Sequence, residues 1–195
     1  MTVHGEHTAT ERHVTPTAQD EVTVGSFARH ALALLRIGFG FTFLWAFFDK
    51  LLALGFSTGR DETGAVDRFG DAAWINGGSP TEGFLAFGAD GPFKSLYNDI
   101  AGAWWADTLF MLGLAGIGLA LLLGIGMRLA AGAGALLYVL MWTVVLPPEN
   151  NPVIDDHLLS ALTLVVLAAL RAGDTWGLGR PWSRTGLVQK FPVLR

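Results

Sequence analysis

The chain has no cysteine in 195 residues. Its own side chains therefore form no disulfide, no thiolate zinc site, no cysteine-held iron–sulfur cluster and no thiol nucleophile or persulfide carrier. Charge is also scarce, at 15% of residues against 51% hydrophobic. Soluble domains carry about a quarter charged residues, so this balance points to a membrane. The net charge of −4 is mild and gives no sign of a nucleic-acid partner. There is no Walker loop, no Glu/His cluster for a di-metal site and no convincing Ser-His-Asp set. The Gly-x-Gly of "GDTWGLGRPW" has no strand before it and is not a dinucleotide loop. The first 30 residues hold no apolar run, so they are read as a flexible polar cytoplasmic tail rather than a secretory leader. His4, His7 and His13 lie in that tail, a weak metal candidate more simply read as solvated.

What is present is four apolar runs, predicting helices at about 31–56, 108–127, 129–146 and 157–171. A bilayer core takes about 20 helical residues. The last run is shorter, which places its polar ends within the interface. The expected fold is all-α, an integral membrane four-helix bundle spanning 31–172. Arg12, Arg29, Arg128, Arg171, Arg180, Arg184, Lys190 and Arg195 fall on one side of these helices. Most acids fall on the other, including Asp61, Glu62, Asp67, Asp71, Glu82, Asp90, Asp99, Glu149, Asp155 and Asp156. The positive-inside rule then puts both termini in the cytoplasm of a bacterial cell, with the chain multi-pass in the plasma (inner) membrane and a basic tail at 173–195. The outer loop, 57–106, is long enough to expect structure of its own. After Pro92, Phe93, Leu96, Tyr97, Ile100 and Trp104 recur at helical spacing. They predict an interfacial helix that ends in the aromatic anchor Trp104 and Trp105 and caps the bundle. The glycines of "LGLAGIGLALLLGIG" and "AAGAGA" suit close helix packing in lipid, with room for a flat cofactor as the alternative.

Ionisable groups near the apolar runs are the candidates for chemistry. Arg36, Gly40, Phe43, Phe47 and Lys50 share one helix face. Arg36 lies near the cytoplasmic end, where a long cation snorkels. Lys50 is followed by more apolar residues, and a charge at that depth is paired or functional. Asp49 is about 100° further round the helix and need not share a partner with Lys50. Asp107 and Asp155 stand at helix starts, where acids commonly cap. His157 sits in the outer half and His30 at the opposite end, so the two cannot bracket a haem. A histidine beside Asp155 and Asp156 either exchanges protons near neutral pH or simply ends the helix in water.

"LRIGFGFTFLWAFFDKLL" resembles the first helix of the DoxX/DoxD-like membrane proteins, with Arg36, Gly40, Phe43 and Lys50 in the expected places. "GGSPTEGFLAF" with "GPF" resembles the outer loop of the DoxD branch. "FMLGLAGIGLALLLGIGMRLAAGAGALLYVLMW", "NNP", "DDHLLSAL" and "GDTWGLGRPW" resemble the remaining helices and closing segment. The resemblance covers about residues 34–182. It implies a four-helix membrane protein akin to the quinone-reactive subunit of a thiosulfate:quinone oxidoreductase. That enzyme works with a second subunit and forms tetrathionate. On this reading quinone enters from lipid, and its headgroup lies near Lys50, Asp107, Asp156 and His157, under Trp104 and Trp105. His157 is the proton donor, Lys50 favours an anion, Asp156 assists, and Phe47 and Trp142 stack on the ring. Arg36 shares the cofactor-facing stripe. No haem, iron–sulfur cluster or flavin is expected. Partners are membrane lipid, quinone and a second protein subunit. Two other readings stand beside it: a non-catalytic subunit that anchors or organises a redox complex, and, less favoured, a small-solute transporter.

Overall fold

A computed structural model describes residues 24–149 and 151–195. His4, His7 and His13 lie outside the described residues. Among those described, the chain is helical, with one isolated antiparallel bridge between Arg60 and Val66. Three helices are long and apolar enough to cross a membrane: α1 (Ser26–Leu52), and, after two short loop helices, α4 (Trp104–Leu123) and α5 (Met127–Val144). The loop helices are α2 (Glu82–Phe87) and α3 (Lys94–Ile100). A fourth apolar helix, α6 (Asp156–Ala169), has 14 residues. Two short helices follow, α7 (Gly179–Ser183) and α8 (Gly186–Lys190).

The helix bounds differ from those read in the sequence. α1 begins at Ser26, inside the stretch expected to be a flexible tail, and ends at Leu52 rather than near 56. Ala53 turns left-handed there, with φ of 50°. Leu54 and Phe56 continue the apolar run, so hydropathy alone extends the helix too far. α4 starts four residues earlier than expected, because Trp104 and Trp105 open it instead of ending the interfacial helix. That helix stops at Ile100, and Gly102, at φ of 70°, turns the chain upward. Gly124, also left-handed, closes α4, so Met127 belongs to α5.

α1 packs chiefly on α4, and α5 on α6. The shared core holds Phe43, Met111, Leu114, Ile117, Leu121, Leu164 and Leu167. Glycine permits both crossings. A methyl at Gly40 would lie 2.8 Å from the Leu122 amide, and one at Gly118 would lie 2.9 Å from that of Leu44. A methyl at Gly134 would meet Leu164 at 2.6 Å. Packing therefore accounts for these three, as expected of small residues between helices. Gly113, Gly116 and Gly132 have open space instead. Outward faces carry Leu34, Phe41, Leu109, Leu112, Leu136, Leu162 and Val165 exposed, the surface a helix presents to lipid.

The loop between α1 and α4 folds onto the end of α5. Ala89 and Tyr97 bury with Val144, and the Asp90 amide donates to the Val144 carbonyl at 2.9 Å. At the other end, the segment expected as a basic tail is folded against the helix turns. The Leu178 amide donates to the Leu123 carbonyl at 2.7 Å, Val188 is buried, and the Trp182 indole donates to the Leu194 carbonyl at 2.6 Å.

Candidate functional site

The ionisable residues separate into three groups. The first is Arg36, which does not snorkel: it is 0% exposed. One terminal nitrogen donates to the carbonyls of Leu121 and Leu122, the latter at 2.9 Å. The other donates to Thr175 and Trp176, at 3.3 and 2.9 Å. The last carbonyls of a helix have no partner within it. At the end of α4 Arg36 satisfies the Leu122 carbonyl and adds a second donor to that of Leu121, which also accepts from the Gly124 amide at 3.2 Å, and it binds both to the segment after α6. Gly124 and Gly177 make room for it, since a methyl at either would stand 3.2 Å from the guanidinium. The terminal nitrogens of Arg36 thus serve the backbone.

The second group ties down the loop between α1 and α4. Asp49 is buried and accepts from the Phe56 and Ser57 amides, at 3.1 and 2.9 Å, and from the Ser57 hydroxyl at 2.7 Å. Lys50 donates to the same hydroxyl at 3.0 Å. The two charges thus share Ser57 despite their angular separation, because the chain returns over the helix end and brings the serine between them. Asp107 is buried too, but it does not cap its own helix; Ala103 holds that position. Its Oδ1 accepts from the hydroxyls of Ser79 and Thr81, at 2.8 and 2.6 Å, and from the Thr81 amide at 3.2 Å. Asp49 and Asp107 are therefore fastenings for the long loop.

The third group stands at the mouth of α6. Asp155 caps this helix, as its position suggested, accepting from the Leu158 amide at 3.1 Å. Its other oxygen accepts from His157 Nδ1 at 2.6 Å. Burial pushes the Asp155 carboxyl up, but the hydrogen bonds from His157 and Leu158 outweigh it and leave the group below the ordinary carboxylate value. Asp156, named from sequence as the partner, lies 3.7 Å away with its side chain 92% exposed; Asp155 is the close one. Tyr138 of α5 faces the imidazole, with ring centroids 6.2 Å apart, and packs against Phe43 at 5.4 Å. With Nδ1 donating to Asp155, Nε2 is the open nitrogen, and it makes no hydrogen bond among the described residues.

Asp155, Asp156 and His157 also offer three ligand atoms within 4.8 Å of one another. The short Nδ1–Oδ2 contact pairs two of these atoms with each other. The third is on an exposed carboxylate. The arrangement is a capped helix end carrying a histidine–aspartate pair, not a cation cage.

The aromatic candidates are dispersed. Trp142 donates to the Val153 carbonyl at 2.8 Å and so ties α5 to the α5–α6 connection. Phe47 packs on the core and edge-on to Phe48, at 5.3 Å. Trp104 and Trp105 are exposed, the first at 79%. Among the described residues no hydrogen bond or ion pair joins Lys50 or Asp107 to His157. The sequence assigns no role to Ser57, Ser79, Thr81 or Tyr138, and its reading names Asp156 rather than Asp155 as the catalytic acid beside His157. Only the spacing of Asp155 and His157 carried a local signal. No family model, curated protein or solved structure matches the chain.

Proposed function

We propose that this chain is a DoxX/DoxD-like membrane subunit of a quinone-linked oxidoreductase. It forms a four-helix bundle in the plasma membrane with both termini in the cytoplasm, and His157 exchanges protons with the quinone. The observation that carries the reading is the His157–Asp155 pair, half-buried at the mouth of a short helix and faced by Tyr138. A 14-residue helix is about 21 Å long, roughly 9 Å less than the hydrocarbon core. Its polar mouth therefore lies at the depth of the lipid interface, where a quinone headgroup arrives laterally. Asp155 holds Nδ1–H and fixes the ring, which leaves Nε2 to pass a proton. Reduction of a quinone to quinol takes two electrons and two protons. Two thiosulfates joining through a new S–S bond to form tetrathionate release two electrons, and a second subunit is the natural place to bind them.

A quinone titration tests the reading. A short-chain quinone should quench tryptophan fluorescence of the purified protein in saturable fashion, and His157→Ala should weaken that binding about tenfold or more. Unchanged binding in a folded variant would remove His157 from the site. A second reading is a non-catalytic subunit that organises a redox complex. It is favoured by Arg36, Asp49 and Asp107, whose polar atoms serve the fold itself. A stoichiometric complex that retains its activity with His157→Ala in place would support it.

A further inference from the structure

Five arginines gather at the end of the molecule opposite His157. A cleft of about 410 Å³ opens between α5 and α6 there. Arg128, Arg171 and Arg195 line its head, and Gly132, Ala168 and Val165 line its flank. An adjoining cleft of about 270 Å³ shares Arg171 and adds Arg29 and Arg180. Asp174, the acid common to both, pairs with Arg195 at 3.4 Å. Arg128 donates to the Pro192 carbonyl at 3.1 Å, and Arg171 makes no side-chain hydrogen bond or ion pair among the described residues. The head of the cleft thus has an excess of positive charge. The flank has the opposite character. Gly132 and Val165 are exposed on the lipid-facing side, and open space stands over Gly132 where a side chain would otherwise fill the groove.

From this juxtaposition we infer an anionic phospholipid site, with the phosphate held by Arg128 and Arg171 and an acyl chain lying along the groove at Gly132 and Val165. Guanidinium groups match phosphate oxygens in fork geometry. Basic clefts between membrane helices on the cytoplasmic side are suited to acidic headgroups. A bare phosphate would leave the apolar groove unused, and a zwitterionic lipid would bring its own cation to the arginines. The inference rests on the membrane placement proposed above, with this end cytoplasmic, and is independent of the redox chemistry at His157.

Native mass spectrometry of the full chain in neutral detergent tests it, after stripping and titration with phosphatidylglycerol, phosphatidylcholine or inorganic phosphate. Phosphatidylglycerol should be retained as a discrete adduct and raise the unfolding temperature; the other two should do neither. Arg128→Gln with Arg171→Gln should weaken retention about tenfold or more. Gly132→Leu, which fills open space, should weaken it with both arginines intact. Arg184→Gln, outside both clefts, should change nothing. Equal retention of the two phospholipids, or retention by the folded double variant or by Gly132→Leu as strong as wild type, would overturn the assignment. Phosphate binding that matches phosphatidylglycerol would also overturn it, in favour of a soluble anion.

Discussion

Replacing Arg36 with methionine keeps the length of the side chain and removes both terminal nitrogens. Four hydrogen bonds are lost, to the carbonyls of Leu121, Leu122, Thr175 and Trp176; the Leu121 carbonyl keeps the Gly124 amide as a donor, and the other three bonds are part-buried. A hydrogen bond to a charged group contributes about 1.5–3 kcal/mol, so four bonds give about 6–12 kcal/mol gross. Withdrawing a guanidinium from water costs several kcal/mol and offsets much of this. The net loss should be about 3 kcal/mol, or roughly 6–12 °C in the unfolding temperature of a chain this size. Arg36→Lys should recover less than half of it, because an ammonium is a compact charge that cannot span two pairs of carbonyls in fork geometry. Thermal unfolding in mild detergent, followed by circular dichroism, reads both variants. Wild-type stability in Arg36→Met, or full rescue by lysine, would refute the clamp.

Other consequences follow from the same structure. Asp107→Ala should release the loop around Ser79–Phe87 and speed amide hydrogen exchange there at least tenfold, whereas Asp107→Asn, which keeps an oxygen at the Oδ1 position, should preserve most of the protection. Gly118→Ala should destabilise by about 2 kcal/mol, since the methyl meets backbone of α1, while Gly116→Ala should be neutral or stabilise by about 0.5–1 kcal/mol. Denaturation midpoints separate these two. Asp155 titrates below its unfolded value, so its stabilising effect is fully present above the ordinary carboxylate range and is lost as pH falls through the folded value. The stability gap between wild type and Asp155→Asn should therefore be open at pH 7 and close in acid; a gap independent of pH would contradict the ionised cap.

Helices were the most legible part of the sequence, because a long apolar run in a chain this poor in charge has few other readings. Their ends were less so. Apolar residues continue past Leu52, and a left-handed Ala53, rather than a change in hydropathy, stops α1. Similarly, Trp104 and Trp105 suit either the end of an interfacial helix or the start of a membrane one, and the flexible Gly102 decides. The roles of the charged groups depended on distance along the chain. Asp155 and His157 are two residues apart, and their proximity was visible at once. Arg36 binds carbonyls 85 to 140 residues away, and Asp107 binds hydroxyls 26 and 28 residues away. Nothing local distinguishes such a cation from one that snorkels, or such an acid from a cap. Gly124 reads in the sequence as one of a glycine-rich helix and Gly177 as part of a Gly-x-Gly, and the purpose the two share is evident only once a guanidinium stands between them.

In the proposed function, His157 serves quinone chemistry rather than closing a helix. The direct measurement is quinone reduction by the purified protein with its co-purifying partners, using thiosulfate and a short panel of other reductants, in wild type and His157→Ala. Reduction should depend on this chain and fall at least a hundredfold in the variant, with helix content retained. Equal turnover in the two proteins would contradict the proposal, and so would no turnover with any donor in a folded wild-type sample.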